Sequence, residues 1–287
     1  MIGYLNGQYL PQENIVISPE DRGFLFADGI YEVIRTYSGK LFRAKAHLDR
    51  LSRGARALQF NHTDFRYLEP VCERLIQDNQ LMHGDAIIYM QVTRGVASRS
   101  HAFPPIETPL TVYATAKPFE PHLQEAENGI RAILVPDQRW ARCDIKTIGL
   151  LANTLAHQRA RKSHATEGLF IRDGVVMEGT HSNVMAVIDG KVITPPRTNY
   201  MLAGITREFV LSLCGELSIP FLETPLYESN ILNVDELMIV GTTVEVTPVI
   251  AIDCEKIGSG IPGPLTRKLQ KAFHLSAGFS GNGRKVS

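Results

Sequence analysis

The sequence has no excess of either charge: 30 basic and 30 acidic residues cancel across 287 positions. That excludes a general electrostatic pull toward nucleic acid or an anionic membrane, so any anion recognition has to be local. Long hydrophobic runs are also missing. No stretch approaches the roughly 20 apolar residues of a membrane helix. The opening "MIGYLNGQYLPQEN" lacks the basic start and apolar run of a secretory leader. Cysteine is scarce and scattered: Cys72, Cys143, Cys214 and Cys254 form no CxxC pair. The expectation is therefore reduced structural thiols, no metal site and a cytoplasmic protein. No internal repeat is visible. What is present is ordinary, 44% hydrophobic and 21% charged, in a chain long enough for one large or two medium domains.

Periodicity divides the chain. "GIYEVIRTYSGKLFRA" alternates as two strands about a Ser38-Gly39 turn. Leu48, Leu51, Ala55 and Leu58 recur at helical steps, and "YLEPVCERLIQDNQLM" predicts a second helix limited at its start by Pro70. "DAIIYMQVTRG" and "TPLTVYATA" are rich in strand formers. The polar, proline-containing "KPFEPHLQEAENG" reads as a linker, placing an N-terminal α/β domain at 1–117, the linker at 118–124 and a C-terminal domain at 125–287. In that second domain "IRAILVP" predicts a strand and "TIGLLANTLAHQRARKSH" a helix with basic residues near its end. Two strand pairs turn at Asp-Gly, "GLFIRDGVVMEG" and "NVMAVIDGKVITPP", followed by the helix of "TREFVLSLCGEL" and strands around "ELMIVG" and "VTPVIAI". The tail from about residue 276 is Gly/Ser-rich and expected to be weakly packed. The fold class is α/β (mixed α+β) in two domains.

Several residues could do chemistry. Lys146 follows Asp144 and leads into an almost uncharged stretch reaching Ala156. A lysine in partly apolar surroundings becomes a nucleophile suited to Schiff-base chemistry. The plainer reading is a stem on an apolar face with the ammonium in solvent. "LAGITRE" places Gly204, Ile205 and Thr206 at a helix start, where backbone N–H groups bind anions, and "VGTTVEV" puts Gly241, Thr242 and Thr243 in a turn after a strand. Arg50 can add full positive charge to a phosphate site, although each piece alone is also an ordinary cap, turn or solvated arginine. Glu178, at the end of a hairpin strand, suits a protonated ring nitrogen or simply solvent. In "RGVASRSHAFPP" residues 99 and 101 fall on one side of an extended chain, so Arg99 and His101 can face one carboxylate. A mobile basic loop has the same spacing.

Taken together, "EDRGFLFADGIYEVIRTYSG", "HLDRL", "VTRGVASRSHAFP", "RWARCDIKTIGLLAN", "EGTHSNV", "GITRE", "GTTVEVTPVI" and "TRKLQKAF" resemble the fold-type IV pyridoxal-phosphate aminotransferases. Among these the D-amino acid transaminases are the most similar. The ordered set covers nearly the whole chain. The resemblance implies pyridoxal 5'-phosphate held between two domains, with Lys146 as its Schiff-base lysine and the mover of the substrate α-proton. It implies Glu178 at the pyridine nitrogen, Arg50, Ile205, Thr206 and Thr242 at the phosphate, and Leu202 against the ring. Tyr31, Arg99 and His101 become a trap for the substrate carboxylate. In the family the last two come from the neighbouring subunit, implying a homodimer with shared sites.

The implied reaction is ping-pong transamination of D-amino acids, D-alanine with 2-oxoglutarate giving pyruvate and D-glutamate. A branched-chain L-amino acid aminotransferase and an aminodeoxychorismate-type lyase share the fold and stay open, as does a non-enzymatic phosphate-ligand protein. One departure is visible: "EGTHSN" stands where close relatives carry "EGSSSN". Thr180 keeps a hydroxyl there for the cofactor, and His181 either adds a donor or faces outward.

Overall fold

Strict alternation builds the first sheet. In β5 (Ala86–Thr93), Ala86, Ile88, Met90 and Val92 are fully buried, and the residues between them are half-buried. A two-residue period of this kind gives a strand with one face in a core. The computed structural model describes residues 1–278. It divides into one unit of Met1–Glu120 with Ile145–Leu150, and a second of Pro121–Asp144 with Leu151 onward.

The first unit contains β1 (Ile2–Leu5), β2 (Gln8–Pro11), α1 (Arg22–Phe26), β3 (Gly29–Tyr37), β4 (Lys40–Leu41), α2 (Ala44–Ala57), α3 (Leu68–Asp78), β5 and β6 (Thr111–Pro118). Its six strands run in the order β2-β1-β6-β5-β3-β4, every neighbouring pair antiparallel. Leu48, Leu51 and Ala55 turn one stripe of α2 into the core, and Leu68, Cys72, Leu75 and Ile76 do the same for α3. Each leucine so buried contributes about 1.5–3 kcal/mol. Pro70 lies in the first turn of α3, where its missing N–H costs little.

The second unit contains α4 (Leu123–Asn128), β7 (Ile130–Pro136), α5 (Leu151–Lys162), β8 (Glu167–Arg172), β9 (Val175–Gly179), β10 (Asn183–Ile188), β11 (Lys191–Thr194), α6 (Ile205–Glu216), β12 (Phe221–Glu223), β13 (Leu226–Tyr227), β14 (Glu236–Gly241), β15 (Glu245–Ile252), β16 (Glu255–Lys256) and α7 (Pro264–Ser276). Its ten-stranded sheet runs β12-β11-β10-β14-β15-β7-β8-β9-β13, with β16 paired to β15. The sheet is mixed: β11/β12, β15/β7 and β7/β8 are parallel and the other pairs antiparallel. Both Asp-Gly turns expected from the sequence are present, Asp173 and Asp189 each taking positive φ before a glycine.

Three expectations need correction. The helix after Lys146 starts at Leu151, not Thr147. Residues 147–148 are captured by strand β3 instead, through the Ile30–Thr147 bridge and Ile148 N–H donating to Gly29 O at 3.1 Å. The stretch expected as linker is structured, holding the end of β6 and all of α4, whose residues are too polar to bury and so carry no periodic signal. Finally, the units part between Glu120 and Pro121, inside the expected 118–124 linker, but the division is not a single one, because residues 145–150 group with the first unit. Most of the weakly packed tail expected from about residue 276 lies outside the described residues. Among those described, no helix is long and apolar enough to cross a membrane.

Candidate active site

Strand β3 places chemistry on both of its faces. Glu32 shares the core face with Ile30 and Ile34, and Tyr31 points the other way. The backbone on either side of Lys146 is fixed to this strand: Tyr31 N–H donates to Lys146 O at 3.0 Å. The half-buried Lys146 side chain brings Nζ 3.2 Å from Tyr31 Oη and 4.2 Å from the centre of its ring. Tyr31 is itself held by stacking on Tyr89, whose hydroxyl donates to Gln91. Asp144 is engaged by Arg142 at 2.9 and 3.0 Å.

On the core face, helix α2 delivers His47 and Arg50 to Glu32. Arg50 donates through Nε and Nη2 at 2.6 and 2.9 Å, and His47 Nδ1 lies 2.8 Å away. All three are buried. Burial would raise the Glu32 pKa, but the charge of Arg50, with the hydrogen bonds of Arg50 and His47, holds it far below the usual carboxylate range. Burial also lowers the His47 pKa and outweighs the pull of Glu32, and the charges of Arg50 and Lys146 act in the same direction as burial. We therefore assign the ion pair to Glu32 and Arg50, with His47 a neutral donor. Arg50 is legible in the sequence; its partner, 18 positions earlier, is not.

Arg99 and His101 are exposed and both lie against Phe26: the guanidinium is 5.2 Å from the ring centre and the imidazole ring 5.5 Å. They thus share one side, as their spacing predicts. Arg94, in the same loop, is buried and forks onto Asp28 at 2.8 and 3.1 Å.

In the second unit Glu178, 5% exposed, lies next to last in β9. It is ion-paired with Arg139, accepts from Asn183 Nδ2 at 3.0 Å and from Leu202 N–H at 3.0 and 3.2 Å. Arg139 is fixed from behind by Asp137, 2.9 Å from both Nε and Nη2, and lies over Phe170. Burial disfavours its charge, but Asp137 and Glu178 more than compensate and raise its pKa. Arg139 stands within a motif but drew no expectation, since a charge in a polar loop carries no signal of its partner 39 residues on.

Helix α6 begins at Ile205, as expected, with Gly204 as N-cap and no side-chain cap on its first amides. Thr206 is buried in this first turn, and a Cβ at Gly204 would strike Asn183 Oδ1. Thr242 lies in the turn between β14 and β15. Thr180, expected to keep a hydroxyl for the cofactor, instead donates it to buried Glu167 at 2.5 Å.

Within the first unit an amine beside a tyrosine suits an aldehyde, and within the second a buried carboxylate and a helix start lacking a side-chain cap suit a phosphorylated pyridine. Comparison with known proteins agrees. Residues 29–252 match the family description "Amino-transferase class IV". The chain belongs to that class.

A D-alanine aminotransferase from Staphylococcus haemolyticus is 42% identical over 275 residues, covering 94% of this chain and 96% of the relative. The branched-chain amino acid aminotransferase structure from Escherichia coli aligns with a TM-score of 0.89 at 26% identity, over 98% of this chain and 97% of that one. The T.th. branched-chain enzyme, complexed with N-(5'-phosphopyridoxyl)-L-glutamate, aligns at 0.87 and 25% identity, over 96% and 93%. The enzyme is thus a pyridoxal-phosphate-dependent aminotransferase with the fold expected from the sequence.

Proposed function

We propose that the enzyme moves the amino group of D-amino acids to oxo acids, with D-alanine and 2-oxoglutarate giving pyruvate and D-glutamate. The observation that carries this reading is the 42% identity, over 94% of the chain, to a protein named D-alanine aminotransferase. The solved branched-chain enzymes share the fold at lower identity.

Pyridoxal phosphate, when bound, would supply an electron-accepting ring that acidifies the substrate Cα–H. Lys146 would hold the cofactor covalently, and its amine would serve as the base and acid that move the Cα proton. Tyr31 Oη, 3.2 Å from that amine, orients it. Glu178 would accept from the pyridine nitrogen, and its ion pair with Arg139 holds the carboxylate in place. Leu202 would pack against the ring. The amides of Ile205 and Thr206, the hydroxyls of Thr206 and Thr242, and Arg50 would hold the phosphate. Support for the phosphate role is the α6 start without a side-chain cap. Arg50 acts there as part of its pair with Glu32, not as an uncompensated charge.

Arg99 and His101 take the substrate carboxylate, with Tyr31, and do so from the second subunit of a homodimer. Support comes from their loop, which also exposes Phe103 and Ile106, side chains a partner subunit would cover. A cytoplasmic location is supported by four unpaired cysteines, of which Cys254 is exposed.

Paired assays test the assignment: D-alanine and L-leucine are each offered with 2-oxoglutarate. Turnover of D-alanine is expected. Turnover of L-leucine alone would transfer the enzyme to the branched-chain reading, and borohydride reduction that left Lys146 unlabelled would remove the proposed lysine.

A further inference from the structure

Glu167, at the start of β8, has no solvent exposure and no part in the reaction above. Its Oε1 accepts from Gly168 N–H at 2.9 Å, Thr180 N–H at 3.0 Å and the Thr180 hydroxyl at 2.5 Å; Oε2 accepts from the Ser182 hydroxyl at 2.8 Å. Gly179 makes this wrapping possible, since a Cβ there would collide with Ser182 Oγ and lie 2.8 Å from Glu167 Oε2. Burying a carboxylate without a compensating positive charge is expensive. Glu32 and Glu178 each have a buried arginine. Glu167 has none: among the described residues its ion-pair partner is His181, with Nδ1 3.3 Å from Oε2.

A second imidazole meets the first. His157, half-buried on α5, packs edge-on against His181 with ring centres 5.6 Å apart. The Thr180 hydroxyl lies 3.4 Å from His157 Nδ1 and 3.1 Å from His181 Nδ1, so both rings converge on the carboxylate's side of the loop. One ligand atom from each of His157, Glu167 and His181 falls within 4.8 Å of the other two. Tetrahedral zinc, with bonds of about 2.0–2.2 Å, separates its ligand atoms by roughly 3.3–3.5 Å. The His181–Glu167 pair already has that spacing, and the partly exposed His157, within 4.8 Å, has to move closer to join it. Both histidines reach the carboxylate from outside, where an ion can enter, since His181 is 45% exposed.

We propose that His157, Glu167 and His181 bind one divalent cation of the borderline class, Zn²⁺ foremost. Two imidazoles and a carboxylate match that class better than they match hard ions such as Mg²⁺ or Ca²⁺. The ion replaces the hydrogen bonds from the rings to Thr180 and supplies the positive charge Glu167 lacks. Its ligands come from α5, β8 and the β9–β10 loop, so it fastens the helix to the sheet beside the existing bond from Asn153 Nδ2 to Thr180 O, 2.8 Å. The site depends on neither the substrate assignment nor the cofactor roles.

The test uses holoenzyme stripped of metal with a chelator and desalted. Calorimetric titration with Zn²⁺ is expected to give one ion per chain and a higher melting temperature. Co²⁺ in its place should show four-coordinate ligand-field bands at longer wavelength than the cofactor absorbs. His157→Gln and His181→Ser, at partly exposed positions that tolerate change, should each weaken Zn²⁺ binding at least about tenfold and abolish the cobalt bands. Absence of stoichiometric binding, or binding unchanged in both variants, overturns the proposal and leaves the histidines as hydrogen-bond partners of Thr180 and Glu167.

Discussion

Single residues set the acid response of the first unit. His47 is held below its ordinary pKa in the native state, so the unfolded chain takes up its proton first. Stability owed to neutral His47 is complete above about pH 6.5 and declines as pH falls below it. Glu32 is also depressed; its contribution is complete above about pH 4.3 and lost on further acidification. Melting temperature against pH should therefore fall in two stages. His47→Gln should flatten the upper stage, and an unchanged slope there would refute the assignment of a neutral buried imidazole. Arg139→Leu should cost about 3–5 kcal/mol, the usual result of breaking a buried ion pair, because Glu178 loses Arg139 and Asp137 keeps only its longer pair with Arg172. Denaturant unfolding measures it. At this scale the sequence was partly legible. Lys146, Glu178 and the Arg99/His101 pair stand out as candidates because a motif or a two-residue step points to them. Glu32, Arg139 and Glu167 do not, because each buried charge is defined by a partner 13 to 39 positions away and looks, alone, like surface.

At the scale of elements, legibility followed periodicity. Strand β5 and helices α2 and α3 repeat their buried residues at fixed steps and were anticipated. Helix α4 buries nothing, so no step could announce it. The apolar run after Lys146 was overextended into a helix because apolarity there serves pairing with β3, a long-range choice that no local window contains. The start of α6 was legible through its glycine, and it supports a prediction. Gly204 has φ −69°, so alanine suits the backbone there, but the new methyl meets Asn183 Oδ1. Crowding of this kind costs about 1–3 kcal/mol, and it disturbs the side chain that holds Glu178 and Leu202 O. Gly204→Ala should weaken pyridoxal phosphate retention on dialysis, read from absorbance, more than Gly215→Ala, whose Cβ meets open space.

The whole molecule is where subunit sharing can be tested. Lys146→Ala and Arg99→Ala should each be nearly inactive as pure proteins. If the carboxylate trap comes from the neighbouring subunit, a twofold dimer of one Lys146→Ala and one Arg99→Ala chain contains one intact site, so random remixing should restore about a quarter of wild-type activity. Remixing that restores nothing would place the trap and the lysine on the same chain. A last consequence belongs to the chain's path. Residues 145–150 group with the first unit although both flanking segments group with the second. One cut after Glu120 thus yields an amino-terminal piece without Lys146, while the remainder keeps a hexapeptide divorced from its β3 anchor. Neither half can be cloned whole as a continuous stretch, and limited proteolysis at that junction should end catalysis even where both products stay folded.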